Sequence, residues 1–261
     1  ASNNTAVGTS ALFANTTGVQ QVAVGTNALD ADTDGTGCVA IGHNAFTSLT
    51  AGSHNLAIGY KACENATNVT DACLIGYNVG QSLTTGDTNT IVGSHAFDAA
   101  TTAQQSTGIG HAVLTAVTTG SGNTAVGRVA LSAVTTGNNN TACGPATGTN
   151  ISTGSNNTCL GLSAGDNITT GSNNVCLGNG SNPAAANSVN TITLGSGDIT
   201  SLRCQQQSIS SLSDERDKTN ITDSVDGLNI INLLKPKKFT WAMREPSAND
   251  GKTELGFIAQ D

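Results

Sequence analysis

The chain has 261 residues, of which 3% are aromatic and 11% charged, and its formal net charge is −8. Residues 1–204 hold three Lys/Arg and nine Asp/Glu, whereas residues 205–261 hold seven and nine, so the composition changes near residue 204. No basic cluster in the long segment could meet nucleic-acid phosphates, no apolar run of about 18 residues could insert in a membrane, and the opening "ASNNTAVG" lacks a signal peptide's basic start and apolar stretch.

A repeat organises the long segment. Gly8, Gly25, Gly42, Gly59, Gly76, Gly93, Gly110, Gly127, Gly144, Gly161, Gly178 and Gly195 recur every 17 residues, giving twelve equal units. Val, Ile, Leu or Cys precedes each glycine, and Thr, Val, Leu, Ile or Cys stands three before it. That alternation predicts a short strand. Ala, then often Leu or Phe, follows, as at Ala28-Leu29 and Ala45-Phe46, and most units carry a turn such as Thr84-Thr85-Gly86. A unit of 17 residues is too short for a helix, two strands and their connections, but it suits one coil of a parallel β-solenoid. Strands about 4.8 Å apart would make a rod about 55 Å long. A glycine fixed in every coil fits a turn with positive φ or a close backbone approach.

The position between the two aliphatic ones reads Ala6, Ala23, Ala40, Ala57, Leu74, Ile91, Gly108, Ala125, Ala142, Cys159, Cys176 and Thr193. A strand wetted on one side would be polar there. Both strand faces are therefore expected to be buried, with Ala6, Ala23, Ala40, Ala57, Ala125 and Ala142 at the axis of a homotrimer. A coil this thin also favours oligomerisation. The alternative is a monomer with an exposed alanine face of the ice-binding kind, although its Thr positions are interrupted by Gly, Ala and Asp.

Units such as "NNTAVGTSAL", "SHNLAIGYKA" and "SGNTAVGRVAL" resemble the head repeats of trimeric adhesins and of many phage tail fibres. The resemblance implies a left-handed parallel β-roll, all-β, of about twelve coils assembled in threes over residues 1–199.

The residue after each repeat glycine should point outward beyond the turn. From the third coil it reads His43, Tyr60, Tyr77, Ser94, His111 and Arg128, and beside it run Asn44, Lys61, Asn78 and His95. Rings for stacking beside amides and cations for hydroxyls are what a glycan site uses. His43, Asn44, Tyr60, Lys61, Tyr77 and Asn78 are therefore the candidate glycan-binding residues, the alternative being a position that tolerates any polar or large side chain. A metal shared by His43 and His111 is excluded by about 19 Å between coils four apart.

Seven cysteines, Cys38, Cys63, Cys73, Cys143, Cys159, Cys176 and Cys204, form an odd set without C-x-x-C spacing. They read as small apolar residues with free thiols, and neither a metal site nor a disulfide framework is expected. Cys159 and Cys176 share a column one coil apart, with side chains running parallel. No cofactor motif occurs: G-x-x-x-x-G-K-[ST] and G-x-G-x-x-G are both missing.

Residues 200–212 read as a connector, after which "SDERDK" places five charges directly behind Ser213. Leu228, Ile231 and Leu234 fall on one helical face ended by Pro236, and Phe239 and Trp241 alternate as in a strand. Ser213-Asp214, Arg216 and Lys218, then "GLNIINLLKPKKFTW", then Gly256 to Gln260, "GFIAQ", resemble the intramolecular chaperone of endosialidase type, a self-cleaving domain of phage tail spikes and fibres. Residues 213–261 would be the N-terminal, α+β part of that domain, which typically continues into further strands and long helices. The resemblance implies a Ser-Lys dyad in which Ser213 attacks the carbonyl of Leu212 and Lys218 is the base. Asp217 replaces the apolar residue usual before that lysine. Neutral lysine is required while Asp214, Glu215 and Asp217 favour the charged form, so Lys218 must be desolvated. Five residues span about 16 Å on a strand and about 7.5 Å along a helix. A sharp turn or a neighbouring subunit must close the dyad.

These features are expected of a structural, receptor-binding segment of a viral tail fibre, assembled in the host cytoplasm. Its expected partners are two further copies, other virion tail proteins and a host-surface polysaccharide or other receptor. A trimeric bacterial surface adhesin and an ice-binding solenoid are the alternatives.

Overall fold

The computed structural model describes residues 1–201, 237–240 and 253–256. Each repeat contributes one three-residue strand: β1 Thr5–Val7, β2 Val22–Val24, β3 Val39–Ile41, β4 Leu56–Ile58, β5 Cys73–Ile75, β6 Thr90–Val92, β7 Thr107–Ile109, β8 Thr124–Val126, β9 Thr141–Cys143, β10 Thr158–Leu160, β11 Val175–Leu177 and β12 Ile192–Leu194. They form one parallel sheet in chain order. Ala23 lies opposite Ala40, and Ala40 opposite Ala57, so every residue pairs with its own copy one coil on. The chain is an all-β solenoid, with no helix among the described residues.

The repeat glycine ends each strand in a conformation that other residues rarely adopt. Gly25 has φ +136°, and a Cβ on it would fall on the carbonyl oxygen of Gly42 in the next coil. Backbone torsion and close approach therefore both demand glycine. Three further positions per coil are left-handed, mostly without glycine, as at Asn44 (φ 57°), Phe46 (φ 51°) and His54 (φ 58°). Asparagine tolerates this region readily. Phe46 does not, and the compensation is full burial of its ring.

The interior holds the middle strand position and the apolar residues after the turn. Their sizes are matched: Ala40 accompanies Phe46 and Ala23 accompanies Leu29, whereas Leu74 accompanies Gly80, where a Cβ would collide with the Leu74 side chain. At Gly108 the missing side chain leaves room for Ile91 Cδ1, which would lie 3.1 Å from an added Cβ. The narrow coil fills itself by trading volume between neighbouring positions.

This placement corrects the expected trimer axis. Ala23, Ala40, Ala57, Ala125 and Ala142 are all 0% exposed within the single chain, so they have no surface to offer a partner; Ala6, in the first coil, is exposed. The residues on either side face outward instead. Ile41 is 38%, Ile109 46% and Leu160 39% exposed, and alternation along a strand carries the whole flanking set to that face. The error in the sequence reading lies in treating the smallest apolar residue as the outer one. Inside the coil that position takes alanine or, as at Leu74 and Ile91, a larger side chain where a neighbouring position makes room.

A column of amides, missed in the sequence, lines the interior immediately before the strands. Asn123, Asn140, Asn157 and Asn174 are buried, and each donates its side-chain N–H across the coil to a backbone carbonyl: Gly137, Gly154, Gly171 and Ser188 at 2.7–2.9 Å. The signal was the Asn that recurs one residue before Thr124, Thr141 and Thr158. Asn55 and Asn89 do the same in earlier coils, whereas in the second coil Gln21 replaces the asparagine and reaches Asp32, a buried carboxyl also held by the N–H of Gly35 at 3.2 Å. Burial pushes the Asp32 carboxyl above its ordinary value, against the lowering effect of these hydrogen bonds.

The chain divides into two units, Ala1–Leu202 and Arg203–Asp261. In the second, β13 (Lys237–Thr240) pairs antiparallel with β14 (Thr253–Gly256). Phe239 falls in β13, opposite Glu254. Trp241 and the helical face of Leu228, Ile231 and Leu234 lie outside the described residues.

Candidate functional site

Stacking of successive coils brings the column after the repeat glycines together. The His43 and Tyr60 rings are stacked at 5.4 Å between centroids with planes 16° apart, and Tyr60 and Tyr77 at 5.4 Å and 10°. Tyr77 then meets His95 edge-on at 5.1 Å, and His95 meets His111 at 6.3 Å. At these separations parallel rings overlap only in part. Tyr60 stays 43% and Tyr77 49% exposed.

A polar cluster flanks the rings. Glu64 accepts from Asn44 Nδ2 at 2.9 Å and Gln81 Nε2 at 3.1 Å, and pairs with Lys61 Nζ at 3.2 Å. Burial alone would push Glu64 up, but these three donors outweigh it and hold the carboxyl below its ordinary value. The Glu64 hydrogen bond and charge in turn raise Lys61. The Lys61 ammonium sits 5.8 Å from the centre of the Tyr60 ring. Asn44 Oδ1 accepts from Asn27 at 3.1 Å, and Asn78 Oδ1 is buried without a hydrogen-bond partner. All six candidate residues, His43, Asn44, Tyr60, Lys61, Tyr77 and Asn78, thus lie in one surface stripe. Glu64 and Gln81, which organise it, were not legible because they stand in another column of the repeat.

The threonines require a correction. Thr16, Thr33, Thr50, Thr67, Thr84, Thr101, Thr118, Thr135, Ser152 and Thr169 make one uninterrupted column. Each hydroxyl donates to the backbone carbonyl of the next coil, as Thr84 does to Thr101 at 2.9 Å and Thr118 to Thr135 at 3.1 Å. Their donors are spent on the rod itself, so the column, although exposed as at Thr16 and Thr33, has no free row of donors with which to order water.

Cys38, Cys63, Cys159 and Cys176 are buried free thiols, and Cys73 and Cys143 are also unpaired. Cys159 and Cys176 are register partners. Ser213, Lys218 and the Leu212–Ser213 bond lie outside the described residues.

Residues 213–261 match the family model described as chaperone of endosialidase, and the match begins at Ser213. A 63-residue stretch is 52% identical to uncharacterized protein VP1 of Micromonas pusilla reovirus (isolate Netherlands/2005), covering 23% of this chain and 3% of that protein. No solved structure matches. The chaperone match, the viral relative and the β-solenoid together fit a phage tail fibre with a chaperone domain at its C-terminal side.

Proposed function

We propose that residues 1–199 form the shaft of a host-attachment fibre in which three copies pack through the outward strand face with its aliphatic column, and that the stripe around Tyr60 and Tyr77 meets a host-surface polysaccharide. The observation that carries this reading is the exposed face built by residues such as Ile41, Val92, Ile109 and Leu160. The sheet repeats this face over twelve strands, about 55 Å, without a charged residue at either outward strand position. An outward column of that length, aliphatic but for Cys143 and flanked by one that is threonine in six coils, calls for a partner on an acidic rod, and closed symmetry satisfies identical faces without leaving one bare. The stripe begins beyond the glycine turn, off the strand face. Residues 213–261 would start the chaperone that assembles the three chains and cuts itself away before Ser213.

The decisive measurement is the solution mass of the chain and of two variants. Ile109→Lys should yield monomers, because it places a charge in each copy of a dry interface. Ala57→Lys should instead unfold the coil, because that side chain is 0% exposed within its own chain. A wild-type monomer, or a trimeric Ile109→Lys protein, would overturn the assembly. The tyrosines are tested separately: a folded Tyr60→Ala/Tyr77→Ala protein should lose attachment to host cells, and unchanged attachment would remove the stripe from the function.

The threonine geometry weighs against an ice-binding rod. A bacterial surface adhesin shares the repeats, but the match beginning at Ser213 favours the fibre.

A further inference from the structure

We infer that Cys159 and Cys176 form a redox-sensitive staple: two free thiols under reducing conditions, and a disulfide between neighbouring coils once hydrogen peroxide reaches them. The staple acts on the rod itself, whatever the rod assembles with or binds.

Position singles out this pair. Among the described residues Cys38, Cys63, Cys73 and Cys143 have no cysteine one coil before or after them, whereas Cys159 and Cys176 are direct register partners in β10 and β11. Register partners in adjacent parallel strands lie about 4.8 Å apart, inside the Cα separation of about 4.4–6.8 Å that a disulfide spans. Both side chains leave the sheet on its inner face, where both are fully buried. Gly165 makes room beside them. A Cβ there would collide with Cys159 Sγ, so the sulfur takes space that Phe97 or Leu131 occupies at the position of Gly165 in other coils.

The two sulfurs already interact. The Cys159 thiol donates to Cys176, which holds Cys176 below the ordinary thiol value against burial and, together with burial, pushes Cys159 up. Cys176 therefore loses its proton first, and the thiolate is the form that attacks an oxidant. Access favours the same residue. β12 is the last strand of the twelve-stranded sheet, and Val189, Ile192 and Leu194 in its coil all stay exposed, so this end of the rod opens at little cost. Lifting β12 away uncovers β11, and with it Cys176. Cys176 Sγ then attacks one oxygen of hydrogen peroxide, the O–O bond breaks, and hydroxide leaves to take up the thiol proton as water, giving a sulfenic acid. Cys159 Sγ attacks the Cys176 sulfur, the S–O bond breaks, and the hydroxyl leaves with the Cys159 proton as a second water. Two thiols and one peroxide give one disulfide and two waters. The bond closes a loop of one repeat in the unfolded chain, which favours the folded rod, and keeps β11 on β10 when β12 opens.

The test exposes folded wild-type protein, Cys143→Ala and Cys159→Ala to hydrogen peroxide, raised until the exposed Cys143 of the wild type is oxidised. Cys159→Ala keeps the coil filled, since Ala125 and Ala142 occupy the same column. Remaining thiols are alkylated and the chains cut before Asp166, which parts Cys159 from Cys176; peptide masses and melting temperatures are read with and without dithiothreitol. Wild-type and Cys143→Ala proteins should yield the two peptides joined, two hydrogens lighter than their sum, and should melt several degrees higher oxidised than reduced. Cys159→Ala should show neither the link nor the gain. Unlinked peptides in the oxidised wild type would make the pair inert core thiols and overturn the staple. A link that persists in Cys159→Ala, that is lost in Cys143→Ala, or that leaves the melting temperature unchanged would overturn it as well.

Discussion

The side-chain oxygen of Asn140 accepts both the backbone and the side-chain N–H of Asn157, at 3.0 Å each. The Asn140 amide donates in turn to the Gly154 carbonyl at 2.9 Å, so one buried side chain ties a coil across its interior and to the next coil. Asn140→Ala would leave the Asn157 backbone N–H and the Gly154 carbonyl without partners in a dry interior. The expected cost is about 2–4 kcal/mol, read from urea unfolding. Ser106 interrupts the same column and receives the Asn123 N–H at a long 3.4 Å. Ser106→Asn should restore the ladder and raise the melting temperature.

Two glycines in one coil should respond very unequally to alanine. At Gly110, φ is +142° and an added Cβ would lie 2.5 Å from the Gly127 carbonyl oxygen. Gly110→Ala should cost about 3 kcal/mol or more, since torsion and collision act together. Gly108 has no such torsion, and its added Cβ would meet only side-chain ends, Ile91 at 3.1 Å and Val113 at 3.2 Å. Gly108→Ala should stay within about 1 kcal/mol of the parent. Equal losses at the two sites in denaturant titrations would show that the glycine column is not set by backbone geometry.

Asp32 makes the fold sensitive to pH in an unusual direction. Its carboxyl is raised by burial, so the folded chain holds that proton more tightly than the unfolded chain. Its contribution is therefore most favourable below the ordinary aspartate range and is lost as pH rises through the folded value. Leu49 occupies the equivalent position one coil on and is fully buried. Asp32→Leu should gain most over the parent at neutral pH, and the advantage should shrink in acid. Melting temperatures of both proteins from pH 4 to 7.5 check it; an advantage that grows in acid would refute the assignment.

What could be read in the sequence follows from what a period encodes. Intervals of 17 fixed the strands, their parallel pairing and their register at once, because a solenoid sets each residue beside its copy. The ring column was legible for the same reason: Tyr60 and Tyr77 are one period apart. The period is blind to direction, however. Ala57 and Ile58 are both apolar, and Leu74 and Ile91 share the buried column of Ala57, so neither polarity nor size along the strand tells the inner position from the outer. Asn140 was passed over because polar residues beside glycines read as turns, although its burial follows from the backbone groups that a tight coil leaves unpaired.

The charge run after Ser213 carries the last prediction. In a chain bearing the whole chaperone domain, cleavage should fall between Leu212 and Ser213, where the family match begins. Ser213 Oγ would attack the Leu212 carbonyl carbon and pass its proton to neutral Lys218. The Leu212–Ser213 amide would then break with protonation of its nitrogen, and water would hydrolyse the resulting ester to leave Leu212 as the mature C-terminus. Ser213→Ala removes the nucleophile and Lys218→Ala the base, so each should leave a full-length chain that still assembles. Glu215→Gln should cleave like the parent, since that carboxylate has no part in the bond changes and its charge disfavours the neutral lysine. Intact masses of the four proteins decide the matter: a Ser213→Ala chain that still ends at Leu212 would rule out the serine, and a Lys218→Ala chain that cleaves at the parental rate would place the base on another residue.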